Sequence, residues 1–279
     1  MAAGLPAAAE ILRAHDPGRF QTTLFAPPPQ RAALIALYAF DCEIGRVRHV
    51  VSQPMAGLIR LQWWRDALDG IAAGAPLQHP VVQGLHAAWP ELAPARAELD
   101  RAIDARESEL QGVPFATLGE LEQHVAATGG SIARAAATAC GSRETRGPKV
   151  AAECVGRASA LLQILREAGA DARAGRMLLP RALLAAHGLD PETALARAAE
   201  GGLVGPARAV ADRAEGWLER ARRQYVGRQI LPAVLPGTLA RRWLSRLRRA
   251  GDDPLDPALS RPDPLLPLVL LGRRWLGRF

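Results

Sequence analysis

The sequence has few cysteines, and their positions argue against two common kinds of site. Only three occur in 279 residues, namely Cys42, Cys140 and Cys154, with no CxxC pair or His/Cys cluster. An odd number at wide spacings predicts neither a disulfide framework nor a zinc site. We therefore expect small buried side chains in a protein of a reducing compartment, which favours the cytoplasm.

Long apolar runs are also missing. No uninterrupted stretch of about 18 apolar residues occurs, so the sequence predicts no membrane-spanning helix. The apolar tract near the N-terminus contains Glu10 and has no positive charge before it. That pattern is not typical of a secretory signal peptide, and we expect none.

Lysine is nearly absent: Lys149 is the only lysine among 35 lysine and arginine residues, and the formal net charge is +7. A basic surface suits nucleic acid, anionic lipid or a diphosphate, but the sequence has no helix-turn-helix, zinc-finger, RRM or KH signature. An excess of arginine over lysine can also reflect genome composition. We expect no nucleic-acid partner and leave the other anions open.

Aromatic residues make up only 5% of the sequence, and alternating Val/Ile/Thr runs are scarce, whereas alanine and leucine dominate. This composition predicts an all-α protein. We find no internal repeat and no convincing boundary, so residues 1–279 are predicted to form a single domain. Within it, residues 252–279 are a proline-rich link and an amphipathic C-terminal tail.

Proline and glycine divide the rest of the chain into helices. Thr117 and Glu120 have the spacing of a capping box, and Gly129-Gly130 either breaks a helix or lets two helices approach closely. The predicted helices span residues 7–15, 19–24, 30–51, 54–69, 79–89, 95–111, 117–128, 131–140, 150–174, 190–200, 206–228 and 238–250.

The functional prediction is built around residues 36–69, two amphipathic helices joined by a Ser-Gln-Pro break. The Trp63-Trp64 pair in the second helix is predicted to lie in the core. A third helix carries Asp100, Asp104 and Glu107 close together, which could hold a metal. Neighbouring arginines make an ion-paired, solvated face the favoured interpretation.

Several segments together resemble the squalene/phytoene synthase family, over nearly the whole of residues 19–195. The motifs are Tyr38-Ala39-Phe40, the Trp-Arg stretch of the second helix, residues 103–110 and the run from Gln163 to Pro180. The resemblance implies an isoprenoid-synthase-like helical bundle around a central cavity. For active members it implies head-to-head joining of two prenyl diphosphates, with magnesium held between two acidic helices.

Only one of those two acidic helices is matched here. Glu167 and Asp171 share a helix face, with Gln163 one turn earlier, but residues 45–49 read Gly-Arg-Val-Arg-His where the first motif should offer carboxylates. Cations there remove ligands and repel a metal ion. The resemblance thus implies magnesium at Glu167 and Asp171 only if an enzymatic activity is retained, and otherwise no cofactor.

The sequence is more similar to a divergent branch of the family, which contains the mitochondrial complex I assembly factor and its bacterial relatives. Residues 40–52, 59–64 and 104–110 carry this second resemblance. It implies a non-catalytic assembly factor whose partners are subunits or assembly intermediates of respiratory complex I.

Two other functions use the same residues. In an enzyme, a prenyl-diphosphate transferase or lyase, Arg46 and Arg48 would bind diphosphate bidentately while Glu167 and Asp171 held one metal ion. In a binding protein, the cavity would hold an isoprenoid or lipid without turnover. Whether the chain is an enzyme therefore stays open at this point.

Opposite charges predict a direct contact between the two helices. If they face each other as in the family, Arg46 or Arg48 should reach Glu167 or Asp171, so that arginine replaces the bridging metal. The candidate site residues are Asp41, Glu43, Arg46, Arg48, His49, Gln163, Glu167 and Asp171.

The tail, residues 265–279, pairs a short apolar run with Arg273, Arg274, Trp275 and Arg278. Such a segment either lies on an anionic membrane or closes the helical bundle, and we favour the second slightly. With no spanning segment, we expect a cytoplasmic protein that is in part peripheral on the inner membrane.

Overall fold

Helices make up most of the structure, a computed structural model that describes residues 4–89, 92–111, 115–143, 146–192, 194 and 202–279, and these residues contain no strand. The all-α prediction is confirmed. The helices are α1 (Leu5–His15), α2 (Pro17–Thr23), α3 (Pro28–Val50), α4 (Pro54–Ala72), α5 (Pro80–Ala88), α6 (Arg96–Glu109), α7 (Leu118–Val125), α8 (Ser131–Ala139), α9 (Pro148–Arg173), α10 (Arg181–Ala186), α11 (Val204–Arg222), α12 (Leu231–Val234), α13 (Pro236–Arg249) and α14 (Leu266–Leu276).

Proline starts more of these helices than the sequence analysis assumed. Helix α3 begins at Pro28, inside the proline triplet and not at Gln30, and α9 begins at Pro148. In the first turn of a helix a backbone N–H has no carbonyl partner within the helix, so proline, which lacks this group, fits there. At the other end, α11 stops at Arg222, before the predicted Arg228. The helix predicted for residues 190–200 lies largely outside the described residues.

The capping box at the start of α7 is present. The Thr117 side chain accepts a hydrogen bond from the Glu120 N–H at 3.2 Å. Glu120 in turn accepts from the Ala116 N–H at 2.8 Å, one residue earlier than the usual motif. Two N–H groups at the helix start are thereby satisfied.

Helix α9 lies at the centre of the fold and contacts α7, α8, α11, α12 and α13. One apolar core is formed mainly by α1, α3, α4, α5 and α8, and a second by the C-terminal half of α9 with α11 and α13. Trp64 is buried in the first core and makes an edge-to-face contact with Phe40 at 5.4 Å. The core position predicted for the tryptophan pair is therefore confirmed at Trp64, with Trp63 partly buried beside it.

Two glycines allow α9 to approach its neighbour closely. Residues Ala126–Gly130 form a π-helical turn that joins α7 to α8. A Cβ atom built on Gly129 would lie 2.5 Å from the carbonyl oxygen of Gly156 on α9. Any larger residue would separate the two backbones, which makes close approach the correct alternative for the Gly129-Gly130 pair.

The structure also agrees with what the sequence predicts for the cysteines and for membrane-spanning helices. Cys42, Cys140 and Cys154 are buried free thiols, and burial raises the pKa of Cys140 to about 12. No helix in the described parts of the chain has both the length and the apolar character needed to cross a membrane.

Candidate functional site

The C-terminal halves of α3 and α9 bring together the charged residues that the sequence analysis singled out. Arg48 lies on the last turns of α3, and its side chain is only 5% exposed. It extends towards Glu167 and Asp171, which lie one helical turn apart on α9. A guanidinium so deeply buried needs several partners, because an unpaired buried charge is strongly unfavourable.

Three carboxylates surround the Arg48 guanidinium. Its Nη2 donates to Glu167 Oε2 at 2.5 Å and to Asp171 Oδ2 at 3.2 Å. Its Nη1 donates to Glu109 Oε2, on α6, at 2.8 Å. The contact predicted between the two helices is therefore found at Arg48, with a third helix contributing a carboxylate that the prediction did not include.

Glu109 connects Arg48 to two further residues. Its Oε1 accepts from Arg106 Nη1 at 2.7 Å and lies 2.8 Å from Nε2 of His124 on α7. Burial raises the pKa of Glu109, but Arg106, His124 and Arg48 outweigh this effect and hold the pKa well below its ordinary value. Glu109 is therefore an ionised carboxylate in the interior of the protein.

The ion pairs continue from Arg106 towards the N-terminus. Arg106 Nη2 lies 3.4 Å from Asp41 Oδ1, and the other oxygen of Asp41 accepts from Arg19 Nη1 at 2.6 Å. Arg19 also pairs with Asp16 at 2.6 Å. Burial raises the pKa of Asp41, and the two arginines lower it further than burial raises it. An unbroken chain of opposite charges thus links α2, α3, α6 and α9.

At the outer edge of the site, Arg176 and His49 cover Asp171. Arg176 Nη2 donates to Asp171 Oδ1 at 3.0 Å and lies 2.9 Å from His49 Nδ1. Arg48 Nε lies 3.2 Å from the other ring nitrogen. Burial and then the Arg48 charge lower the pKa of His49. A ring with arginine N–H groups at both nitrogens favours the neutral imidazole.

Of the remaining candidates, Arg46 and Glu43 lie away from this centre, whereas Gln163 contacts it. Arg46 points to the other side of α3, where Nη1 lies 2.7 Å from His15 Nε2 and 3.9 Å from Glu43 Oε1. Its side chain is 40% exposed. Gln163 donates to the second oxygen of Glu167 and so orients that carboxylate. Of the two arginines proposed for the contact, only Arg48 is in place.

Sequence reasoning missed Arg106, Glu109 and His124 as site residues. One signal was available, because Arg106 follows Leu99 and Ile103 at helical spacing and so shares their apolar face, where a charged residue needs a buried partner. Glu109 lies three residues further on, close enough on a helix to provide it. The contribution of His124 depends on the packing of α7 against α6, which local spacing does not reveal.

Arg106 also lies over Gly45, the first residue of the segment 45–49 that resembles the first acidic motif of the family. A Cβ atom on Gly45 would lie 3.3 Å from Arg106 Nη2. The guanidinium can lie against the α3 backbone because residue 45 has no side chain. The absence of a side chain at residue 45 thus leaves room for the Arg106 guanidinium beside α3.

The donors fit a guanidinium and not a magnesium ion. Magnesium requires near-octahedral oxygen ligands at about 2.0–2.1 Å, whereas here the carboxylates of Glu109, Glu167 and Asp171 hydrogen-bond to fixed Arg48 nitrogens. Among the residues that the structure describes, no group of three or more His, Cys, Asp or Glu side chains has the geometry of a metal site. In this arrangement Glu167 and Asp171, the residues considered for a metal ion, are ligands of the Arg48 guanidinium.

The space left beside the site is small. A cleft next to Asp171, lined by Ile164, Ala168 and residues 176–179, has almost no volume that a water molecule could enter. Sites for small-molecule ligands usually measure about 300–1,000 Å³. The cleft is therefore too small for a prenyl chain in the present arrangement of side chains.

The acidic face of α6 is ion-paired, as the favoured interpretation held. Arg65 on α4 donates to Asp104 at 2.5 Å and to Glu107 at 2.7 Å. Arg96 pairs with Asp100 at 2.9 Å. Asp104 and Glu107 thereby link α6 to α4, whereas the Arg96–Asp100 pair lies within α6.

Known proteins resemble this chain over most of its length. A sequence model of the squalene/phytoene synthase family matches residues 12–267. NADH dehydrogenase (ubiquinone) complex I assembly factor 6 from Bos taurus is 26% identical over 272 residues, which cover 97% of this chain and 81% of that protein. Phytoene synthase from Rhodobacter capsulatus is 26% identical over 242 residues, which cover 83% of this chain and 68% of that enzyme.

Solved structures show the same architecture. A dehydrosqualene synthase crystallised in complex with a ligand superposes with a TM-score of 0.82, covering 98% of this chain and 96% of the other at 16% identity. At that identity the similarity establishes the fold alone.

Proposed function

The chain belongs to the squalene/phytoene synthase family, and from this premise we propose that it is a non-catalytic assembly factor for respiratory complex I. It acts by protein contact, without a metal or other cofactor. Its partners are complex I subunits or assembly intermediates, and it works in the cytoplasm, in part at the surface of the inner membrane. The relatives named as complex I assembly factor 6 support this role.

One observation carries the proposal: Arg48 lies between Glu109, Glu167 and Asp171. Departure of a diphosphate needs concentrated positive charge on metal ions that are free to bridge enzyme and substrate. Here the carboxylates that would hold such ions are neutralised by an arginine of the same chain. The scaffold of the family is kept while the charge arrangement that supports its chemistry is replaced.

The first experiment tests catalysis directly. Purified protein is incubated with farnesyl or geranylgeranyl diphosphate and magnesium, and products are compared with those of a Glu167→Ala variant. We expect no coupled hydrocarbon from either protein. A C30 or C40 product formed by the wild type above the variant would overturn the proposal.

The second experiment tests the role in the cell. Deleting the gene should lower the amount of assembled complex I, measured on native gels with an in-gel NADH oxidation stain. A Glu167→Gln variant removes a carboxylate that metal catalysis would need but keeps an oxygen for Arg48. We expect it to restore assembly as well as the wild type does. Normal assembly in the deletion strain, or failure of a normally expressed Glu167→Gln protein, would contradict the proposal.

A prenyl-diphosphate transferase is the second candidate, favoured by the similarity to phytoene synthase. In that function Arg46, which is half-exposed and pairs with Glu43 only at 3.9 Å, would bind diphosphate. Retention of an isoprenoid or lipid without turnover is a weaker candidate, because the cleft beside Asp171 is small. Product analysis and ligand extraction from the purified protein separate these candidates.

A further inference from the structure

The C-terminal helix α14 is attached to the protein by one face only. Leu266 and Leu270 are buried against the body, as is the terminal Phe279, whose ring packs over Gly237 at the start of α13. Arg274 Nε donates to the Phe25 carbonyl at 3.3 Å. These contacts fix the orientation of the helix, so the tail closes the bundle, as expected, and at the same time presents a defined outer face.

The outer face of α14 is apolar. Leu268 is 68% exposed, Leu271 57% and Trp275 77%, and their spacing of three and four residues puts them on one side of the helix. Gly272 lies between them, and Leu265 and Leu276 extend the surface at the two ends. This is the reverse of a surface helix in a water-soluble protein, whose outer face carries polar and charged residues.

Arginines border this apolar face. Arg274 lies on one flank of the helix, between the apolar face and the buried residues, whereas Arg273 lies close to the buried Leu266 and faces the body of the protein near Arg241. Arg228 lies beside Gly277 at the helix end, with Nε 3.8 Å from where a Cβ atom of that glycine would be. Among the described residues, neither Arg228 nor Arg273 has a carboxylate within salt-bridge distance.

Arg241, on α13, lies among other positive charges on the side of α14 that faces the body of the protein. Burial, then Arg222 and Arg273, lower the pKa of Arg241 to about 10, and the acidic residues nearby oppose this only in part. Arg241 donates to the Leu218 carbonyl at 3.3 Å, while its buried Nε has no hydrogen-bond partner. Like charges that nearby carboxylates balance only in part favour an anion from outside the chain.

We propose that α14 docks on an anionic lipid bilayer, with Leu268, Leu271 and Trp275 inserted at the interface and the bordering arginines on lipid headgroups. An apolar helix face with tryptophan and flanking arginines is suited to lie in the plane of a membrane surface. A second copy of the chain is a poor occupant, because it would bring an identical cluster of arginines to the contact. This inference extends the proposed role by giving the surface that meets the membrane.

Vesicle flotation with the full-length wild-type protein tests the proposal. Vesicles of phosphatidylcholine alone are compared with vesicles that also contain phosphatidylglycerol or cardiolipin. We expect binding to the anionic vesicles, weak binding to the neutral ones, and a loss of the electrostatic part of binding as salt is raised. Because no complex I is present, the outcome is independent of the proposed assembly role.

The decisive variant is Leu268→Asp/Leu271→Asp, which places negative charge on the outer face without touching the buried residues. We expect vesicle partitioning to fall by roughly tenfold or more, because two apolar anchors are lost. Its matched control is Met55→Asp/Ile59→Asp, which changes two equally exposed apolar residues on α4. The control adds the same charge and should keep wild-type binding. Circular dichroism verifies that both variants are folded.

Three outcomes of the vesicle-binding experiments would overturn the proposal. The first is that the wild type does not bind anionic vesicles. The second is that it binds neutral and anionic vesicles equally, and the third is that the two double variants lose binding to the same extent. Light scattering on the same samples checks the alternative occupant. A wild-type dimer that Leu268→Asp/Leu271→Asp converts to a monomer would assign the α14 face to self-association and also overturn the proposal.

Discussion

Arg48 and Glu167 are 119 residues apart in the sequence, yet their side chains meet at 2.5 Å. Through this contact the end of α3 is held to α9, the helix around which the fold is packed. Under the proposed function, this pair stands where carboxylates from two helices would otherwise share metal ions. Its energetic role can be measured without knowing any ligand.

Replacing Arg48 by alanine should strongly destabilise the protein. The variant leaves Glu109 and Asp171, which are almost fully buried, without their shared counter-ion. Losing one partner of a buried ion pair typically costs about 3–5 kcal/mol. Arg46→Ala is the matched control, and removing its exposed side chain should cost about 0–1 kcal/mol. Urea unfolding measures both, and equal free energies of unfolding would show that the Arg48 contacts contribute little.

The coupling between Arg48 and Glu167 should appear in a double-mutant cycle. We expect the Arg48→Ala/Glu167→Ala protein to recover part of the sum of the single losses, with a coupling energy of about 0.5–3 kcal/mol. The same cycle with Arg46 in place of Arg48 should show no coupling, because Arg46 faces His15. Coupling at Arg46 and none at Arg48 would contradict the geometry described.

Glu109 should make the protein sensitive to acid. Its pKa is lowered in the folded state, so the unfolded chain binds more protons than the native one once the pH falls to the ordinary range of a glutamate, about 4.3. The stability due to its ionised form is present above that pH and is lost as the pH drops towards the folded pKa. Asp41 contributes in the same direction.

The test for Glu109 compares the wild type with Glu109→Gln by urea unfolding at a series of pH values. The variant should be less stable at neutral pH and should lose less further stability below about pH 4.3. His49, whose pKa is also lowered, contributes a separate loss that starts below about pH 6.5 in both proteins. Parallel curves for wild type and variant throughout the acid range would refute the assignment to Glu109.

Magnesium should not stabilise the wild-type protein. A ligand that binds the native state raises the melting temperature, and Arg48 prevents magnesium from reaching the three carboxylates. Thermal unfolding in millimolar magnesium and in chelator should therefore coincide. Arg48→Ala exposes the carboxylates to cations and should gain a magnesium-dependent increase. A clear increase in the wild type would show that a metal site coexists with Arg48.

Glycines at the contact of α9 with the π-helical turn should not tolerate a methyl group. In Gly129→Ala the new Cβ would meet a carbonyl oxygen at 2.5 Å and the Ala160 Cβ at 2.8 Å. Overpacking of this kind typically costs about 1–3 kcal/mol. Gly216→Ala is the control. Gly216 lies inside α11, and apart from the backbone of its own helix no atom lies within 4 Å of the added Cβ. This substitution should raise the free energy of unfolding by about 0.4–1 kcal/mol. A Gly129→Ala protein as stable as the wild type would mean that the helices separate without loss.

Most of the helical framework could be predicted because its signals are local. Proline at helix starts, glycine at helix ends and apolar spacing all lie within a few residues of the boundaries they set. The errors at Pro28 and Arg228 are boundary errors of this local kind. The resemblance to the squalene/phytoene synthase family, inferred from motifs, is confirmed by the family match over residues 12–267.

The site was predictable only in part because its contacts are long-range. The pairing of α3 with α9 came from the family resemblance, which left Arg46 and Arg48 as alternatives. Choosing between them requires the rotation of α3 about its axis, which is set by packing against neighbouring helices. Glu109 and His124 come from helices that the resemblance did not assign to the charged centre, and no local pattern connects them to Arg48.

The guanidinium of Arg106 above Gly45 determines what a carboxylate placed at that position would contact. Even a Cβ atom at residue 45 would lie 3.3 Å from Arg106 Nη2. An aspartate introduced there would therefore meet this guanidinium first and join the ion pairs that Arg106 already makes with Asp41 and Glu109. A Gly45→Asp substitution thus extends the internal charge network of the protein and does not by itself provide a free metal ligand.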